Sequence, residues 1–241
     1  MSKKNQPTDT RTAIDDVNDT LTDLEQKVEK NKKAIMWACV IVAVVVAAIL
    51  VYIYAVRKPG INKANEQFGQ AFNEQMFVSD STALVMYQDL ADNGSYDAAN
   101  LANLYAATIL YQKGEYQQAL DYLKNYSASE SIIAATSKSL EGDCYVNLKD
   151  YDKALSCYED AIDEADENPY LVPMFLGKMA NVQHELKDYK AEADLYRQIK
   201  DNYTNVYLQT SRFYNVGANP TVRDIDKYIE RAEALAQQAQ K

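Results

Sequence analysis

The sequence predicts an all-α chain of stacked helical hairpins, headed by a single apolar helix. Three observations predict it. A phrase recurs: "GEYQQALDYLKNY" from residue 114, "KDYDKALSCYEDA" from 149 and "KDYKAEADLYRQI" from 187. A run of 23 residues, Ala34–Val56, carries no charge. Beyond that run no stretch alternates apolar and polar residues with a strand's period, whereas apolar residues return every third or fourth position, the helical interval.

Residues 1–12 are polar and form a tail expected to be disordered. Over residues 13–33, Ile14, Val17, Leu21, Leu24 and Val28 alternate by three and four, an a/d heptad seam. A short juxtamembrane helix follows from this, either a plain stalk or one that pairs with a copy of itself into a homodimer. Asp15, Asp16, Asp19 and Asp23 argue against its lying on lipid, where Lys and Arg are favoured.

The uncharged run 34–56 would measure roughly 34 Å as a helix, enough to cross a hydrocarbon layer of about 30 Å. Trp37 lies near one end and Tyr52 and Tyr54 near the other, as interfacial aromatics do. With 33 residues ahead of it, the run reads as a signal-anchor transmembrane helix in contact with the bilayer, not a cleaved signal peptide. Lys27, Lys30, Lys32 and Lys33 precede it and Arg57, Lys58 and Lys63 follow, which favours a cytoplasmic N-terminus and an exported C-terminal domain. Residues 1–33 are neutral overall, so the remainder carries the formal charge of −10. That excess of carboxylate excludes nucleic acid as a partner.

Helices are expected near 62–77, 81–92, 96–113, 116–126, 129–147, 151–166, 172–186, 189–202 and 220–239. Tyr151, Ala154, Tyr158 and Ala161 share one helix face, and Gly142 and Tyr145 share a face of the preceding helix. Small residues let the two backbones approach, while tyrosine rings fill the wedges and keep their hydroxyls at an edge. One hairpin cannot hide its own apolar face, so it must stack on another, and the phrase repeats.

This pattern resembles the tetratricopeptide repeat. The middle unit matches at Gly142, Tyr145, Tyr151, Ala154, Tyr158 and Ala161. The first keeps Ala107, Gly114, Tyr116 and Ala119 but has Leu110, Leu123 and Tyr126 at later signature places. The third keeps Ala180, Tyr189 and Tyr196, while Gln183, Glu192 and Ile199 depart. The resemblance implies a solenoid over 60–204, with repeats near 96–128, 129–168 and 170–203 after a degenerate hairpin at 62–92 in which Phe68, Ala71 and Phe72 face Leu84, Tyr87 and Leu90. A connector and capping helix would occupy 205–241, with 205–220 free to cross the open end. It also implies that Cys144 and Cys157 stay apart as free, largely buried thiols.

A site search returns neither catalytic group nor metal nor cofactor. His184 is the lone histidine, no glycine-rich phosphate loop occurs, and the acidic run "EDAIDEADEN" lacks a calcium-loop pattern. The chain reads as a non-enzyme that binds other proteins. By the resemblance, the first helix of each unit lines a concave peptide groove, at Leu104, Thr108, Tyr111 and Gln112, then Ser139, Asp143, Val146 and Asn147, then Gly177, Asn181, His184 and Glu185. The Lys/Asn/Arg clamp with which some relatives hold chaperone carboxylates is absent, and Asp143 and Glu185 would favour neutral or basic segments. The layout of tail, anchor and exported repeat domain resembles the ancillary Sec-translocon subunit (YfgM-like) family. That resemblance implies a bacterial inner-membrane protein with a periplasmic repeat domain, contacting the translocon, a periplasmic chaperone or a nascent polypeptide. The alternatives are an assembly scaffold of another envelope complex, dimerised through the N-terminal helix, and a receptor whose domain is cytosolic.

Overall fold

The computed structural model describes residues 13–214 and 225–240. Every regular element among the described residues is helical. The chain divides after Gly60 into two compact units.

In the first unit, helix α1 (Ala13–Tyr52) is followed by a π-helical turn at Ile53–Arg57. Every side chain from Val28 to Tyr52 is exposed, and the helix is long and apolar enough to cross a membrane. Lys58 sets its ammonium 4.2 Å from the centre of the Tyr54 ring. The tail 1–12 and the side chains of Ile14, Val17, Leu21 and Leu24 lie outside the described residues.

The second unit contains α2 (Lys58–Phe77) from Ile61 onward, α3 (Asp80–Asn93), α4 (Tyr96–Gln112), α5 (Tyr116–Asn125), α6 (Ser131–Asn147), α7 (Tyr151–Glu164), α8 (Leu171–Glu185), α9 (Tyr189–Tyr214) and α10 (Ile225–Ala239). From α3 onward each helix packs on the next, and among the first helices of the hairpins α6 also touches both α4 and α8. The helix expected to stop near 202 runs on to Tyr214, so the first part of the supposed connector is helical. Residues 215–220 lie outside the described residues.

The recurring phrase begins at a helix stop. Gly114, Lys149 and Lys187 have φ of 81°, 62° and 62°. Around each, the same two bonds recur: Lys149 N–H donates to Val146 O and Asp150 N–H to Tyr145 O, as Gly114 and Glu115 do to Tyr111 and Leu110, and Lys187 and Asp188 to His184 and Gln183. This is the left-handed Schellman stop, which satisfies the last carbonyls of one helix and reverses the chain into the next. Elsewhere side chains cap the starts: the Ser79 hydroxyl accepts from Ser81 N–H at 3.2 Å, and Asn168 Oδ1 accepts from Tyr170 and Leu171 N–H at 3.0 and 3.1 Å.

The core forms two clusters. One joins α2 to α5, with Cys144 of α6, around Tyr87, Ile109, Leu110 and Leu120, the other α6 to α10 around Tyr158, Phe175, Tyr196 and Ile199, and Tyr145 touches both. Helix α4 buries Ala98, Ala99, Ala102, Ala106 and Ala107, so its neighbours come close. Helix α2 is held more by rings: Phe68 stacks on Tyr87 and Tyr105 at 5.5 and 5.2 Å, and Phe72 on Tyr105 at 6.2 Å. Burying one such aromatic side chain stabilises by about 1.5–3 kcal/mol.

Candidate concave groove

Counting from the left-handed residue of each turn aligns the hairpins position by position. Seven residues before it stand Ala107, Gly142 and Ala180, all buried; nine after it stand Leu123, Tyr158 and Tyr196, also buried. The signature residues Ala119, Ala154 and Ala161 are buried too, whereas Tyr116, Tyr145, Tyr151 and Tyr189 are half-buried. A Cβ on Gly142 would come within 2.5 Å of Tyr158 Cε1. Tyr158 therefore fills its own hairpin, because glycine opens a slot directly beneath it.

The buried tyrosines also have matched partners. The Tyr158 hydroxyl donates to Asp143 Oδ1 at 2.7 Å, and the Tyr196 hydroxyl to Asn181 Oδ1 at 3.4 Å. Where Leu123 replaces tyrosine, the partner position holds Thr108, whose hydroxyl turns back to Leu104 O at 2.8 Å. Burial, then the Asp143 carboxylate, pushes the Tyr158 hydroxyl above the usual phenol range, and burial pushes Tyr196 up to about 12. Asp143 is not the free acid the sequence suggested. Its Oδ2 receives Lys178 Nζ at 2.6 Å, and the same ammonium reaches Ser139 Oγ at 2.8 Å and lies 5.7 Å from the Tyr158 ring centre.

A concavity of about 560 Å³ lies along α4, α6 and α8. Its walls include Leu101, Leu104, Tyr105 and Thr108 of α4, Ile133, Thr136, Ser139, Leu140 and Asp143 of α6, and Met174, Phe175 and Lys178 of α8, with Gln75 at one side. A second hollow of about 320 Å³ involves Asp143, Val146, Tyr151, Tyr158, Lys178, Asn181, Val182 and Glu185. Of the expected groove residues, Leu104, Thr108, Ser139 and Asp143 line the first and Val146, Asn181 and Glu185 the second. Tyr111, Gln112, Asn147, Gly177 and His184 line neither. Gly177 is buried, while Gln112 and Asn147 lie exposed at the end of their helices.

The reason is a shift of one helical turn. Three residues before each left-handed turn stand Tyr111, Val146 and His184; two after it stand Tyr116, Tyr151 and Tyr189. Tyr111 packs edge-on against Tyr116 at 5.6 Å and His184 against Tyr189 at 5.6 Å, so these rings close the turn. The concave face uses positions thirteen, ten, nine and six residues ahead of the turn in α4 and α6, and thirteen and nine in α8, which brings in Leu101, Thr136 and Met174, and Tyr105, Leu140 and Lys178. The signal was present, since Leu101, Leu104, Tyr105 and Thr108 continue one stripe at intervals of three, one and three.

A second departure explains how the solenoid ends. Five residues after the turn stand Ala119, Ala154 and Glu192. Glu192 is 0% exposed and fills a slot built for alanine. His184 Nδ1 lies 2.8 Å from its Oε2, and Arg231 of α10 donates to its Oε1 at 2.8 Å. Arg197–Glu233 and Lys200–Asp226 pairs, the Tyr196–Tyr228 ring contact and buried Ile225, Ile229 and Ala232 complete the seat of α10 on α9. The misfit in the third repeat is thus the socket for the cap.

Cys144 and Cys157 are free and buried. Burial, then the nearby Asp143 and Glu141 carboxylates, pushes the Cys144 thiol up to about 12; burial, then Glu141, pushes Cys157 up to about 11. Neither is poised as a nucleophile. Among the described residues no group of three His, Cys, Asp or Glu could hold a metal ion.

No curated protein matches this chain in sequence. Solved structures similar to it include two crystal structures of MamA, at 13% identity each. One has a TM-score of 0.47 and covers 70% of this chain and 95% of that one; the other has 0.49 and covers 73% and 92%. A structure described as a Podosopora anserina kinesin light chain with nearly identical TPR-like repeats is similar at 12% identity and a TM-score of 0.49, covering 74% and 96%. Residues 80–184 match the family model of the tetratricopeptide repeat-like domain. Over that stretch the chain has a TPR-like fold of stacked helical hairpins.

Proposed function

We propose that the chain is a membrane-anchored, non-catalytic scaffold that docks other proteins in the groove along α4, α6 and α8. That groove, built from the inner faces of successive hairpins, is the observation that carries the reading. Unburied Val, Ile and Leu along α1 support an anchor over 34–56, since so much apolar surface is stable only in an apolar medium. The lysine bias ahead of this stretch supports a cytoplasmic N-terminus and a periplasmic repeat domain at a bacterial inner membrane. The resemblance of the layout to ancillary translocon subunits supplies the partners: the secretion channel, a periplasmic chaperone or an emerging polypeptide. A photocrosslinking residue at exposed Thr136, inside the groove, is expected to capture one of these in cells, and the same residue at Lys190, outside it, is expected not to. Equal capture from both positions, or capture of neither translocon, chaperone nor secreted chains, would sink the proposal.

A further inference from the structure

We infer that the segment this groove accepts is an amphipathic α-helix with an apolar stripe and basic flanks, not an extended peptide. The inference rests on the groove being the docking surface, and names what it docks.

An extended peptide brings backbone N–H and C=O groups that need partners, usually polar side chains of the receptor or a free strand edge. Most of this wall's hydroxyl hydrogens are committed within it, and the Gln75 oxygen at one side takes the Tyr87 hydroxyl. The Thr108 hydroxyl donates to Leu104 O at 2.8 Å, that of Thr136 to Ile132 O at 2.9 Å, and that of Ser137 to Ala134 O at 2.8 Å. Lys178 is held by Ser139 and Asp143, and the other oxygen of Asp143 by Tyr158. Opening that network to serve a ligand would strand a half-buried charge. A helix satisfies its own backbone and asks only for apolar contact.

Apolar contact is what the wall offers, through Leu101, Leu104, Tyr105, Leu140 and Met174. They project from helices whose ridges and grooves receive the side chains of another helix laid along them. Charge sets the flanks. Residues 61–241 hold 16 Lys or Arg against 28 Asp or Glu, a net charge of −12, whereas the groove's own pair, Lys178 and Asp143, cancels. A helix with an uncharged stripe and Lys or Arg beside it complements both the lining and the surrounding field.

The test uses the full chain in nanodiscs of uncharged phosphatidylcholine, with empty nanodiscs as blank, and three fluorescein-labelled peptides read by anisotropy. The first carries leucines at i, i+3, i+4 and i+7 with lysines between. The second has the same composition with leucine and lysine alternating, so that it favours a strand. The third repeats the first with glutamate for lysine. The first is expected to bind at least about tenfold more tightly than either other, and to weaken as salt rises. Thr136→Trp, which fills the groove from an exposed position, should weaken it by at least about tenfold, and Thr136→Lys should weaken it most at low salt. Equal or tighter binding of the alternating peptide overturns the helical occupant while leaving the docking surface in place. Equal binding of the acidic helix overturns the basic flanks. Binding indifferent to both Thr136 variants removes the groove itself, and with it the docking proposal. Dissociation of a homodimer by Thr136→Trp in sedimentation would assign the groove to a second copy and overturn the inference.

Discussion

Gly142→Ala tests the packing logic at its tightest point. On an isolated helix the change should stabilise by about 0.8–1.0 kcal/mol, because alanine is the better helix former. In this hairpin the new Cβ would sit 2.5 Å from Tyr158 Cε1 and 2.8 Å from Cδ1. Carbon atoms in contact rest about 3.5–4.0 Å apart, so the ring must retreat by about 1 Å. Tyr158 is 2% exposed and its hydroxyl is fixed to Asp143, so it cannot retreat freely. The third hairpin shows the relaxed arrangement: there Ala180 stands in the glycine's place, and the Tyr196 hydroxyl bond is 3.4 Å, against 2.7 Å for Tyr158. Overpacking costs about 1–3 kcal/mol, and a weakened bond to the charged Asp143 adds part of the about 1.5–3 kcal/mol such bonds contribute. Less the helix gain, the net is a loss of about 2 kcal/mol, or about 4–8 °C in Tm for a domain of this size. The assay is thermal unfolding of the full chain in detergent, followed by tyrosine near-ultraviolet dichroism. Gly142→Ala combined with Tyr158→Leu reproduces the Ala107–Leu123 pair of the first hairpin and should recover part of the loss relative to the sum of the single changes. An unchanged or raised Tm for Gly142→Ala alone would falsify the assigned contact.

Lys149→Gly and Lys187→Gly should each stabilise by about 1 kcal/mol, a rise of about 2–4 °C, because lysine bears a left-handed φ at both sites; Gly114→Ala should lower Tm by a similar amount. Arg231→Ala should cost about 3 kcal/mol of α10 docking, since it leaves the buried Glu192 carboxylate with only His184, whereas Glu192→Ala should cost much less, because Arg231 and His184 are 49% and 36% exposed and can hydrate. Hydrogen exchange of α10 amides reads both, and equal protection loss in the two variants refutes the asymmetry. Stability should fall above pH 9: the unfolded chain then releases thiol protons that folded Cys144 and Cys157, pushed up to about 12 and about 11, still hold. Melting between pH 8 and pH 10.5 checks this, and Cys144→Ala/Cys157→Ala should flatten the early part of the decline.

The sequence by itself determined the hairpin order, the helix starts at Tyr96, Tyr116, Tyr151 and Tyr189, and the apolar helix near the N-terminus. These rest on local period and turn chemistry, which neighbouring residues specify. It also marked Glu192 as out of pattern, but Arg231, 39 residues away, is what makes it a socket. Tertiary structure alone decided where the groove runs. Whether a ring at Tyr111 or His184 faces a ligand depends on which tyrosine folds over it from the next helix, and those contacts moved the concave face one turn back, to Leu101, Thr136 and Met174. The charge of Asp143 was legible, but its neutralisation was not, because Lys178 comes from a helix 35 residues later and helical period says nothing about which side chains meet across hairpins.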